Sequence, residues 1–219
     1  MKIISWCAIA MLTVCGIVVA EERSEILKFE LPDPYFGGTP LDYFGSNLEE
    51  PNYKKRPDFP VPPGTTNVAK GKAVSANVAK PEYGKFEMLV DGDKHYQQES
   101  LLGLAEGVQW IQIDLGSVHT LYAFALWHFH EGDRVYFDVV VRVSDDPEFK
   151  KFTEVFNNDH DNSAKLNVGK DKEYIESYKG KFIDMKEAKG QYVRFYSNGN
   201  TSDNFNNYVE AAVFGKPAK

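Results

Sequence analysis

From Trp110 to Gly116 the chain reads Trp-Ile-Gln-Ile-Asp-Leu-Gly, and the alternation is strict. Ile111, Ile113 and Leu115 point one way while Trp110, Gln112 and Asp114 point the other, which is the period of a strand with one face in a core. Gly116 ends the run where a turn can follow. Similar runs recur downstream. Leu121 to Phe129 is apolar on both faces, as in a strand sandwiched inside a core. Val135, Phe137, Val139, Val141 and Val143 form another alternating set, Tyr192 to Tyr196 places Val193 and Phe195 inward, and Tyr208 to Phe214 closes the series. No long stretch of helical period competes with them. Aromatic residues make up 14% of the chain, which favours β structure and binding surfaces over a helical bundle. Short strands divided by turn signals predict an antiparallel sandwich or barrel.

The N-terminal third has a different texture. Met1-Lys2 is a short positive start, Ile3 to Val19 is largely apolar, and Val18-Val19-Ala20 is a small-residue cleavage site. Residues 1–20 read as a secretory signal peptide cut after Ala20, which predicts a secreted, periplasmic or cell-surface protein with no membrane span after removal. A lipoprotein signal ending at Cys15 is disfavoured, because Val14 is bulkier than the residue expected before the cysteine. Cys7 and Cys15 both lie in this segment, so the mature chain can form no disulfide and its core must hold unaided or be braced by a metal. Acidic residues number 32 against 25 basic ones, a net charge of −7. Nucleic acid and anionic membrane surfaces are poor partners for that balance.

Residues 21–66 carry eight of the 11 prolines, interleaved with Phe29, Tyr35, Phe36, Tyr43, Phe44, Tyr53 and Phe59. That much proline blocks helix and interior strand alike, while a solvated linker would lack so many rings. The expectation is an extended arm that either drapes over the following domain and buries some rings or serves as a spacer. The domain itself is read as residues 67–219.

Four stretches, Asn67 to Val74, Trp110 to Gly116, Tyr192 to Tyr196 and Tyr208 to Gly215, occur in order with Asp91-Gly92-Asp93 between the first two. Together they resemble the discoidin family, also called the coagulation factor five/eight C-type domain. They are also similar to galactose-binding-like carbohydrate-binding modules of bacterial secreted proteins. Ala73 stands where the family commonly has proline, Gln191 where it has arginine, and Phe214 where it has tyrosine. The resemblance runs from Asn67 to Lys216 and omits the arm. It implies an all-β, antiparallel jelly-roll sandwich with ligand loops at one end, and a binding module without catalytic machinery.

Three polar loops are the places to seek a ligand: His130 to Arg134, Asn157 to Asp171 and Ser197 to Asn207. Sugar recognition needs a ring face to stack on and polar groups for hydroxyls. His128, His130, Arg134, His160, Asn198, Asn204 and Tyr208 are the candidate ligand-binding residues, whereas Trp127, in a doubly apolar strand, reads as core. The partner expected is a glycan or polysaccharide; a cell-envelope or extracellular protein is the alternative. The resemblance further implies a structural Ca2+ joining the Asp91-Gly92-Asp93 turn to the last strand, with Asp91, Asp93 and Glu210 as ligands; otherwise the turn merely caps its own amides. A third candidate is a transition-metal or catalytic site from His128, His130 and His160, the last flanked by Asp159 and Asp161, which would make the chain a small metal-dependent enzyme on the same sandwich. Gly-x-Ser-x-Gly, His-Glu-x-x-His and phosphate-cradling glycine loops are absent from the sequence, so no catalytic residue is expected.

Overall fold

The structure, a computed structural model, describes residues 25–34, 43–52, 54–95, 100–132 and 134–218. The signal peptide expected at residues 1–20 lies outside them, as do Tyr35, Phe36, Tyr53 and Asp133. The strands are β1 (Glu25–Ile26), β2 (Pro60–Val61), β3 (Thr66–Asn67), β4 (Ala73–Ala76), β5 (Leu102–Leu104), β6 (Gln109–His128), β7 (Val140–Ser144), β8 (Thr153–Asn157), β9 (Lys181–Ser197) and β10 (Asn206–Pro217). One 3-10 turn, Phe86–Val90, precedes β5. Every strand pairing is antiparallel, in the order β3-β10-β6-β9-β7-β8, with β4 added to β6 and β5 to β10. The fold is the antiparallel β-sandwich that the alternation predicts.

Trp110–Gly116 and Leu121–Phe129, read as separate strands, prove to be two halves of the long β6. Gly116 (φ 82°) does not end the strand but kinks it, at the register shift between Asp114 and His119. Below the kink Ile111 and Ile113 pair with Phe195 and Val193; above it Phe124 and Leu126 continue the same core, with Tyr208, Ala211 and Val213 from β10. The kink lets one strand serve both layers of the core. The Val135–Val143 alternation is also interrupted. Asp138 takes a left-handed backbone (φ 53°), so the continuous strand begins only at Val140.

The other face of β6 and β10 carries Ala123, Ala125, Trp127, Val209, Ala212 and Phe214. The arm covers it. Leu27, Phe29 and Phe59 pack there together with Phe182. Phe29 stacks parallel to Phe182 at 6.1 Å between centroids and meets Trp127 edge-on at 6.0 Å. The Arg56 guanidinium lies 5.1 Å from the Phe29 ring and 4.9 Å from Phe182, and donates to the carbonyls of Lys179 and Gly180. Gly180 is required here: its φ is 64°, and a Cβ would fall 2.7 Å from Trp127. Further along, Leu48 bridges Glu173 in parallel, and Tyr43 Oη donates to Glu173 Oε2 at 2.7 Å. The arm is therefore extended and, over its described residues, docked. Proline shapes the path, since Pro57, Pro60, Pro62 and Pro63 need no ladder partner for their nitrogens.

Candidate functional site

The three polar loops, distant in sequence, meet at one end of the sandwich. Val135 and Phe137 exchange backbone hydrogen bonds with the 197–201 segment: Phe137 N donates to Gly199 O, Asn198 N to Phe137 O, and Thr201 N to Val135 O. Side chains reinforce the join. Arg134 Nη1 lies 2.7 Å from Asp203 Oδ2, with its guanidinium 4.7 Å from the Phe129 ring. Asn198 Nδ2 and Ser163 Oγ both donate to Asp138 Oδ2, at 2.7 and 2.8 Å. Val139 N donates to Asn158 Oδ1 at 2.6 Å, which ties the 157–171 loop to the residue just before β7. Within the last loop, Asn206 accepts from Ser197 Oγ and Gly199 N and donates to Ala105 and Gly107 carbonyls. Asparagine suits these positions because its amide is donor and acceptor at once.

The structure sorts the candidate ligand residues by exposure. His160 and Asn204 are exposed on this end, with the exposed ring of Phe205 beside Asn204. Arg134 and Asn198 are half-buried and committed to Asp203 and Asp138. His130 is buried; it lines a cavity of about 570 Å³ between the arm at Glu49–Pro57 and the segment Tyr174–Phe182. Burial pushes its imidazole pKa down despite Glu176 nearby.

His128 and Tyr208 are corrected. Both are fully buried: His128 shares the inner face with Phe124 and Leu126, as strand period requires, and its ring stacks on Tyr136 at 4.1 Å and packs against Tyr208 at 4.9 Å. Its Nδ1 lies 3.0 Å from Glu176 Oε2, and Tyr208 Oη lies beside Ser197 Oγ, so neither side chain can reach a ligand. Trp127 is core, its Nε1 donating to Tyr178 O at 2.9 Å. The three-histidine metal set does not form. Among the described residues, no metal-sized group of ligand atoms contains a histidine, because His128 and His130 point into the body of the domain while His160 lies on an outer loop.

At the Asp91-Gly92-Asp93 turn, Gly92 N donates to Glu210 Oε2 at 3.2 Å. Glu210 Oε1 is buried without a partner. Burial pushes the Glu210 carboxyl up to about 8, opposed by the Gly92 amide and by Lys94, with Asp91 adding to the rise. The Asp93 carboxylate is turned elsewhere: Oδ1 meets His95 Nδ1 at 2.6 Å and Oδ2 accepts from Ser100. Asp91 Oδ1 caps the Asp93 amide at 2.7 Å. The turn and the last strand are thus brought together as expected, but through a backbone amide rather than through three converging carboxylates.

A different acidic group does converge. Oxygens of Asp138, Asp159 and Asp161 lie within 4.8 Å of one another, the one such group among the described residues. Asp159 and Asp161 were visible in the polar loop. Asp138 was not, hidden as the polar position within an alternating valine run. Asp203 and Glu176, the partners of Arg134 and His128, were equally silent, since long-range pairing leaves no mark on local spacing.

No curated protein sequence matches the chain. Among solved structures, a family 89 glycoside hydrolase from Clostridium perfringens, in complex with 2-acetamido-1,2-dideoxynojirmycin, gives a TM-score of 0.50 at 18% identity, covering 69% of this chain and 15% of that one. The CBM32 of AlyQ, in complex with 4,5-unsaturated mannuronic acid, gives 0.45 at 23% identity over 65% of this chain and 93% of that one. A chitosan-binding module 1 from a chitosanase/glucanase of Paenibacillus sp. IK-5 gives 0.46 at 20% identity over 68% and 99%. The hydrolase likeness, at that identity, speaks for the fold alone. The family model of the F5/8 type C domain matches residues 72–211, from the start of β4 into β10 and more than half of the sequence. With its strand order, kinked central strand and ordered motifs, the chain belongs to the F5/8 type C domain family.

Proposed function

We propose that the chain is an exported, non-catalytic module that binds glycan through the loop end of its sandwich. The observation that carries this reading is the joining of three polar loops into one braced surface, from which His160, Asn204 and the Phe205 ring project into solvent. Sugar recognition asks for this combination: hydrogen-bonding groups held in fixed register, and an apolar ring on which a pyranose face can rest. Arg134 and Asn198 act here as braces with residual polar capacity at the rim. Export rests on the apolar, small-residue-terminated pattern of residues 1–20. The carbohydrate-bound neighbours above are consistent with the reading without carrying it.

A structural Ca2+ belongs to the same proposal, supported by Glu210 and Asp91 and not by the whole Asp91-Gly92-Asp93 turn. Glu210 offers a buried, unpartnered carboxylate oxygen, and Asp91 is close enough to oppose its ionisation. A bound Ca2+ would add positive charge at a buried carboxylate whose burial Gly92 N, Lys94 and Lys70 only partly offset. Asp93 would join only by releasing Ser100 or His95.

A glycan array probed with the whole chain, with Ca2+ and then with chelator, tests the function. Selective binding that His160→Ala or Asn204→Ala removes is the expected result. Silence across the array from a folded sample would transfer the loop end to a protein partner.

A further inference from the structure

The Asp138–Asp159–Asp161 group has no role in the reading above, apart from Asp138 bracing Asn198. A cluster of carboxylates is by itself only a polar loop, and Asp161 is exposed. Asp159 is different. The whole residue is fully buried, its Oδ1 accepts from Ser163 N at 2.9 Å, and its Oδ2 has neither a hydrogen-bond donor nor solvent contact. Asp138, only 5% exposed, already accepts from Asn198 and Ser163 through Oδ2. Two buried carboxylates at this spacing repel, and one bare buried oxygen forfeits its hydration with nothing in return. Burial and then Asp138 push the Asp159 carboxyl up, against the amides of Ser163 and Ala164. Asp161 is held down mainly by Ser163.

Two arrangements relieve such a group: a shared proton or a bound cation. A proton shared between Asp159 and Asp161 is the first, and Ca2+ titration separates it from the second; the donor set says which kind of cation the second would be. All three members present oxygen, the hydroxyl of Ser163 stands beside them, and the imidazole of His160 is not among the converging atoms. Oxygen-only sites of carboxylates and hydroxyl suit hard divalent ions, and the irregular loop supplying them suits the larger, less geometrically demanding Ca2+ over Mg2+. We propose that Asp138, Asp159 and Asp161 form a second Ca2+ site, separate from Glu210, that locks the 157–171 loop onto the Asp138 corner. Two ligands are buried and one is exposed, so the ion keeps an open side that water completes. This site stands independently of the glycan reading, because its evidence is a bare buried oxygen rather than the exposed groups at the rim.

Calorimetric titration of the chelator-treated full chain with Ca2+ tests it, using wild type, Asp159→Asn, Asp161→Asn and Glu210→Gln. Asp159→Asn and Asp161→Asn are each expected to bind one Ca2+ fewer than wild type, while Glu210→Gln keeps that ion. Asp161 is exposed, so its variant reads the site even where Asp159→Asn fails to fold. Isotherms for Asp161→Asn and any folded Asp159→Asn that match wild type would overturn the site, as would loss of all Ca2+ binding in Glu210→Gln alone. Neither result touches the glycan array.

Discussion

Over the outer face of β6 and β10, the arm lays Phe29 and Phe59 against Trp127, Phe182 and Phe214 and closes the stack with a single guanidinium. At the loop end the chain joins three segments chiefly through polar side chains, Asp138, Asn158, Asn198, Asp203 and Asn206. Both regions gather residues remote in sequence, yet they do different work. Apolar burial is non-directional and scales with area, so it supplies stability and tolerates imprecision. Hydrogen bonds to amides and carboxylates return about 1 kcal/mol net each but fix direction and distance. The arm-covered face is therefore where the molecule gains strength, and the loop end where it gains a defined surface.

The comparison breaks soonest at Trp127. Trp127→Ala removes the largest ring on the covered face and leaves a cavity under Phe29, with an expected loss of about 4 kcal/mol in urea unfolding. A loss below about 1 kcal/mol would mean that the arm rests on this face without stabilising it.

Glu210 sharpens the contrast from the neighbouring strand, since its cross-strand partner is Trp127. Its folded pKa, raised to about 8 from 4.5, makes its contribution to stability fullest below pH 4.5 and lost as pH rises toward 8. In chelated protein, going from pH 5 to pH 8 is expected to cost about 3.5 kcal/mol, because keeping this carboxyl protonated in the fold costs up to about 1.4 kcal/mol for each pH unit climbed between the unfolded and folded values, less near either end. Adding Ca2+ should flatten that slope, and Glu210→Gln should abolish it. A melting temperature equally indifferent to pH and to chelator would remove the ion from this corner.

How much of this was legible in the sequence follows the same division. Ile111, Ile113, Val193 and Phe195 were placed correctly because a strand imposes period two on whatever it buries. The loops were legible as loops. Their contents were not, because His128 meets Glu176 from 48 positions away and Arg134 meets Asp203 from 69, distances no local pattern encodes. Asp138 misled for another reason: its left-handed backbone halts a strand that its valine neighbours advertise. The arm fell between, its rings announcing burial without naming the face that receives them.

A smaller effect is expected at the brace itself. Asp203→Ala frees Arg134 and also removes the acceptor of Asn200 Nδ2 and of Phe205 N, so the stability loss should be about 1–2 kcal/mol, only part of it from the half-exposed ion pair. Glycan affinity should fall further than that, because the 197–207 loop loses both its tie to the first loop and the cap that fixes the exposed Phe205. Equal losses in stability and affinity would reduce the brace to an ordinary surface ion pair.

The smallest effect on stability belongs to the exposed residues, and it decides most about function. His160 and Asn204 are exposed, so His160→Ala and Asn204→Ala should each shift unfolding by less than about 0.5 kcal/mol. Whatever they do must then appear in binding. Removing a group that hydrogen-bonds a sugar hydroxyl costs about 1–3 kcal/mol where its partner is left unpaired, a five- to hundredfold weaker complex on the array. Unchanged binding in both variants, with Asp203→Ala still weakened, would move the contact surface toward Arg134 and Asn198. The loops would then be braced by the same residues that touch the ligand, and the separation between strength and recognition would fail at its own boundary.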